Sequence, residues 1–109
     1  MSRKLVYICS PLKGNIERNI VKANLYSRYA YEKGCLPLAS HVIFTQFLDD
    51  KKPKERTDGM EMGKQLLEMC SEIWVFGSKI SEGMKAEIEL AKEMDITIRY
   101  IKEEDLEAW

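Results

Sequence analysis

Two short runs in this chain are almost continuously apolar: Leu-Val-Tyr-Ile-Cys at 5–9 and Ile-Trp-Val-Phe at 73–76. A strand wetted on one side alternates apolar and polar residues, whereas a strand covered on both sides does not. Such runs belong inside a parallel sheet with helices on both faces. Two further strand-like runs occupy 35–39 and 96–101. Pro37 gives the earlier of these an edge position or a strand start, because proline cannot donate to a ladder.

Segments of helical period lie between the runs. A helix is expected over 16–33, with Asn15 as N-cap, Gly34 just past its end, and Ile16, Ile20, Ala23, Ser27, Ala30 and Tyr31 along one stripe. A short helix within 40–50 would pack through Val42, Ile43, Phe44, Phe47 and Leu48. A charged loop, 51–57, then precedes a helix opening at Asp58, which forms a capping box with Glu61. That helix runs to about 70 and carries Gly59, Gly63, Leu66, Leu67 and Cys70 on one stripe, Gly63 allowing close approach to the sheet. Helix 81–94 completes the order β-α-β-α-α-β-α-β, and the tail 102–109 is expected to add a short helix. This order implies an α/β fold: an open parallel sheet of four to five strands with right-handed crossovers and helices on both faces, a Rossmann-like or flavodoxin-like three-layer sandwich. Residues 1–109 form one domain on this reading.

Composition narrows the function. Seventeen basic and 18 acidic residues leave a formal charge of -1, which argues against a nucleic-acid polymer as partner. The charged stretches 51–56 and 103–105 are expected to be solvated loops. No apolar run approaches a membrane span, and the first four residues lead straight into a strand rather than a signal peptide. Cys9, Cys35 and Cys70 form no CxxC motif and leave one cysteine over in any disulfide scheme, so reduced thiols in the cytoplasm are expected. His41 is the only histidine, and no metal or cofactor is expected.

Glu87 breaks the pattern of its helix. At about 100° per residue, Met84, Ile88, Leu90, Ala91 and Met94 share an arc, and Glu87 falls near its centre. Lys85, Glu89, Lys92 and Glu93 point the other way. An unpaired buried carboxylate costs several kcal/mol or shifts its pKa strongly. Glu87 therefore meets a buried partner, reaches water at the edge of the face, or lines a cavity.

In an open parallel sheet, ligands bind beyond the carboxyl ends of the strands. That rule makes neighbours of two loops: 10–14, with Ser10, Pro11, Lys13 and Gly14, and 77–83, with Ser81 and Gly83. Both lead into helix N-termini, where free N–H groups and the dipole favour an anion such as phosphate. Glu87 sits roughly 8 Å along its helix from Ser81, a spacing that suits a ribose between them. Tyr7 either supplies a hydroxyl to this cleft or is a core tyrosine. Ser81 and Lys13 are otherwise a plain N-cap and a surface lysine.

Three segments resemble the nucleoside 2-deoxyribosyltransferase superfamily, which includes the deoxynucleoside 5′-monophosphate N-glycosidases. They are Tyr-Ile-Cys-Ser-Pro-Leu-Lys-Gly at 7–14, Leu-Ala-Ser-His-Val at 38–42, and Cys-Ser-Glu-Ile-Trp-Val-Phe-Gly at 70–77 followed by Ser81-x-Gly83-x-x-x-Glu87-Ile88-x-x-Ala91. The similarity spans nearly the whole chain and is closer still to small bacterial and phage proteins of unassigned function placed beside that superfamily. The resemblance implies that Glu87 is a nucleophile positioned by Tyr7. It further implies that Ser10, Pro11, Lys13, Gly14, His41, Ser81 and Gly83 contact a nucleoside or nucleoside 5′-monophosphate. A homo-oligomer is also implied; separately, exposed apolar groups, Trp109 and the Met60/Met62 pair, are candidate interface residues on a third reading, a structural α/β protein that serves an oligomer. One departure stands out: the superfamily carries an aspartate where this chain, counting back from Glu72, has Lys64. Glutamate-driven cleavage or transfer of an N-glycosidic bond is therefore weighed against a nucleotide-binding protein that uses the same pocket without turnover.

Overall fold

A computed structural model describes residues 2–107. Four strands form one parallel sheet: β1 (Lys4–Cys9), β2 (Cys35–Leu38), β3 (Glu72–Phe76) and β4 (Thr97–Ile101). Their order is β2-β1-β3-β4, so the expected open parallel α/β sheet is present with four strands. The helices are α1 (Ile16–Glu32), α2 (Ser40–Phe44), α3 (Pro53–Glu68), α4 (Glu82–Glu93) and α5 (Glu103–Glu107). No helix among the described residues is long and apolar enough to cross a membrane.

The two apolar runs lie at the centre of the sheet and bury both faces. Val6, Ile8, Trp74 and Phe76 pack on one side against Tyr26, Tyr29 and Ala30 of α1. Tyr7, Cys9, Ile73 and Val75 pack on the other against Leu67 of α3 and Met84, Ile88 and Ala91 of α4. Large apolar side chains buried this fully contribute roughly 1.5–3 kcal/mol each. The chain moves from β1 outward to β2, then back across to β3 and β4. This reversal leaves a crevice at the carboxyl ends of β1 and β3.

Local chemistry accounts for the element ends. The Asn15 side chain accepts from Arg18 N at 3.1 Å and caps α1, and Gly34 (φ +85°) ends it. Pro37 lies on β2, an edge strand. Cys9, Cys35 and Cys70 are all buried free thiols.

Several sequence expectations need correction. α3 begins at Pro53 rather than Asp58. Proline suits the first helical turn, and Lys54 pairs with Asp58 at 2.9 Å, so the charged stretch is helix rather than loop. The buried stripe of α1 centres on Ala23, Tyr26, Tyr29 and Ala30; Tyr31 is 48% exposed, with Arg3 and Arg28 over its ring. Tyr26 displaces it because its ring stacks on Phe76 at 4.4 Å. Ile43 is exposed because α2 is only five residues long and turns one face inward, and Phe47, past its end, is exposed with its ring edge-on to Phe44 at 6.1 Å. Gly63 is buried and faces the sheet as expected, where a Cβ would stand 3.5 Å from the hydroxyl of Tyr7 on β1 and from Ser40 Oγ.

Candidate active site

Tyr7 is the central residue of β1 and is fully buried. Its side chain projects from the sheet toward α3 and α4, and its hydroxyl meets two groups. It donates a hydrogen bond to Oε2 of Glu87 on α4, and it lies 2.6 Å from Oγ of Ser40 at the start of α2. Cys9, two residues on and therefore on the same face, points its thiol at Oε1 of Glu87 at 3.5 Å. The misplaced carboxylate of the α4 face thus has buried partners on the adjacent strand.

Burial pushes the Glu87 carboxyl up from 4.5 to about 7, and the Tyr7 and Cys9 hydrogen bonds partly oppose that rise. A carboxyl in this range exchanges its proton near neutrality. It is available there either as a carboxylate nucleophile or as a proton donor. Burial and the neighbouring Glu87 push the Tyr7 phenol and the Cys9 thiol far up, so neither ionises at neutral pH.

Glu87 opens onto a cleft of about 420 Å³, within the size range of small-molecule sites. Tyr7, Ser10, Lys13, His41, Ser81, Gly83 and Glu87 all line it. Pro11 and Gly14, grouped with them from the sequence, do not. Gly14 holds a left-handed turn (φ +100°), and Pro11 packs near Gly77, where a Cβ would come within 3.9 Å of its ring. Both shape the loop rather than its cleft surface. Asn19 pins that loop by donating to the carbonyls of Leu12 and Lys13 at 2.9 and 3.0 Å.

Ser81 caps α4, accepting from Met84 N at 3.3 Å, and keeps its own proton to donate. A Cβ on Gly83 would meet nothing within 4 Å, so the space above the helix start is open. Across the cleft, Ser10 Oγ and His41 Nε2 lie 3.0 Å apart. Burial lowers the His41 imidazole from 6.5 to about 4, so it is neutral at pH 7.

Other cleft residues escaped sequence reasoning. Ser40 is one, although the parallel register of Leu38 beside Tyr7 put it two residues from β1's central position. Glu55 and Arg56 come from the stretch read as a solvated loop, Asp50 from the end of the segment expected to hold a short helix, and Lys64, noted in the sequence only as a departure from the superfamily's aspartate, from α3. Glu55 is engaged by Asp49 N at 2.9 Å and Lys52 at 3.6 Å. Asp50 has no hydrogen-bond or ion-pair partner among the described residues. Of the candidate interface residues, Met60 is exposed and lines the cleft, Met62 is half-buried, and Trp109 lies outside the described residues.

Fold and site together define an α/β protein of parallel sheet with a phenol-held carboxylate in the crevice where the strand order reverses. The chain belongs to the family described as Domain of unknown function (DUF7768), whose model matches residues 4–101. Its structure is similar to that of a 2-deoxyribosyltransferase from the psychrotolerant bacterium Bacillus psychrosaccharolyticus. The two superpose with a TM-score of 0.66 at 12% identity, over 88% of this chain and 70% of that one. At this identity the likeness is one of fold. Among curated proteins no sequence matches the chain.

Proposed function

We propose that the cleft takes a nucleoside or nucleoside 5′-monophosphate and that Glu87 cleaves its N-glycosidic bond. The observation that carries this is the Glu87 carboxyl, held by Tyr7 at the cleft wall while burial keeps it near neutrality in its titration. The similarity in fold to a 2-deoxyribosyltransferase supports the same reading.

In the reaction, a Glu87 carboxylate oxygen bonds to the anomeric carbon as the bond from that carbon to the base nitrogen breaks. The bonding electrons leave with the base, which takes a proton. Asp50 is the carboxyl proposed to meet it, being on the cleft and uncommitted to any other side chain, where Glu55 is engaged. Water or a second base then attacks the same carbon, gives its proton to the Asp50 carboxylate left by the first step, and releases Glu87. Ser81 and the first N–H groups of α4 hold the 5′ end, Lys13 adds positive charge, and the Ser10–His41 pair contacts the sugar or base.

Lys64, lining the cleft where the superfamily carries an aspartate, favours a second reading. In it the pocket binds a nucleotide without turnover, and Glu87 bonds a ribose hydroxyl. Incubation with a panel of ribo- and deoxynucleosides and their 5′-monophosphates, followed by chromatography for free base, separates the two. Base release identifies an enzyme and its substrate. Thermal stabilisation by one compound without release identifies a binder, and neither result sinks both readings.

Ser81→Ala tests the phosphate end. The variant is expected to lose about 1 kcal/mol of stability with its cap. It should weaken binding of a 5′-monophosphate more than that of the corresponding nucleoside. Equal losses by calorimetric titration would remove the phosphate from Ser81.

A further inference from the structure

Ser40 is buried, and among the described residues its hydroxyl has a single hydrogen-bond contact, the Tyr7 oxygen at 2.6 Å. α3 passes beside this contact with a glycine. A Cβ on Gly63 would stand 3.5 Å from both oxygens, so α3 offers no side-chain donor or acceptor there. A hydroxyl buried with one partner must donate to it or leave its proton unsatisfied. The Ser40 proton therefore points at the Tyr7 oxygen. With that oxygen already accepting, the phenol proton is free to point at Glu87, as the geometry has it.

We infer that Ser40 is a positioning residue, which fixes the direction of a hydrogen-bond relay from Ser40 through Tyr7 to Glu87 and thereby favours the ionised carboxylate. The reverse direction, Glu87 to Tyr7 to Ser40, leaves the Ser40 proton with no acceptor among the described residues and only the cleft to face. Hydrogen bonds in series polarise one another, so the bond from Ser40 strengthens the one Tyr7 gives the carboxylate. No atom changes owner; only the orientation of two hydroxyls is set. The inference rests on the reading of Glu87 as the acting group, but the relay itself is measurable without turnover.

The titratable groups that face Glu87 directly are Tyr7 and Cys9 of β1. Lys13, His41, Asp50, Glu55, Arg56, Lys64 and Glu82 share the cleft, and none is hydrogen-bonded or ion-paired to Glu87 among the described residues. Removal of the Ser40 hydroxyl leaves all of them in place.

The test is the titration of the Glu87 carboxyl carbon by NMR in wild type, Ser40→Ala and Ser40→Thr. Ser40→Ala is expected to raise the Glu87 pKa by about half a unit or more. Ser40→Thr keeps the hydroxyl and is expected to restore it. The melting deficit of Ser40→Ala should be larger at pH 8 than at pH 5, since the lost bond served the ionised form. A merely structural role would lower the melting temperature equally at both pH values. Ser40→Cys, close in shape with a weaker donor, gives the same comparison should the alanine variant not fold. An unmoved Glu87 titration overturns the relay. A moved titration with no base release from any compound keeps the relay and removes the glycosidase.

Discussion

Glu87→Gln is expected to lose base release by at least about a thousandfold, since an amide cannot form the glycosyl ester. The same variant is expected to be more stable than wild type at alkaline pH. In the folded protein burial holds the carboxyl at about 7, above its ordinary 4.5. Below 4.5 it is neutral whether folded or not. As pH rises, the unfolded chain releases its proton first, so stability falls between about 4.5 and 7 and stays low above. Glutamine removes that loss, and the gain at pH 8 should be about 1–3 kcal/mol, shrinking toward pH 4. Melting curves at both pH values check this. Base release by wild type should rise through pH 7 as the nucleophile ionises. A glutamine variant that releases base as wild type does would dismiss Glu87 from the chemistry.

His41 acts in the opposite sense. Its folded value of about 4 lies below the ordinary 6.5, so its contribution is full above 6.5 and is lost as pH falls through 4. The two slopes oppose each other between about 4.5 and 6.5, which makes wild-type stability flatter there than in Glu87→Gln.

Tyr7→Phe is expected to give the second large effect. The ring still fills its buried place, so no cavity forms. What goes is the donor to Glu87 and the acceptor for Ser40, whose hydroxyl is then buried without a partner at a cost of about 1–3 kcal/mol. Glu87 keeps only the weak thiol contact, and its pKa should climb further above 7. Base release at pH 7 should drop by about ten- to a hundredfold, with much of the loss recovered at higher pH. A uniform loss at every pH would mean that Tyr7 acts on substrate rather than through Glu87.

Much of this was legible in residue order. The continuous apolar runs at 5–9 and 73–76 pointed to strands covered on both faces, and both are central. Pro37 pointed to an edge position or a strand start, and β2 is an edge strand; Asn15 and Ser81 are N-caps. Glu87 stood out because helical period is a local property: six residues on either side suffice to show a carboxylate among methionine, isoleucine and alanine. The start of α3 misled because Asp58 and Glu61 mimic a capping box inside a helix that Pro53 opens.

Residue order by itself determined the layers, the edge and the odd carboxylate, because each depends on neighbours within a turn or two of chain. Only the tertiary structure decided that Tyr7 meets a glutamate 80 positions away and a serine 33 away. It also decided that Asp50 and Lys64 share their cleft and that Glu87 titrates near 7. Those outcomes depend on burial and on which side chains the parallel crossovers bring to one end of the sheet. No local pattern encodes the dielectric around a carboxyl or the partner across a crossover.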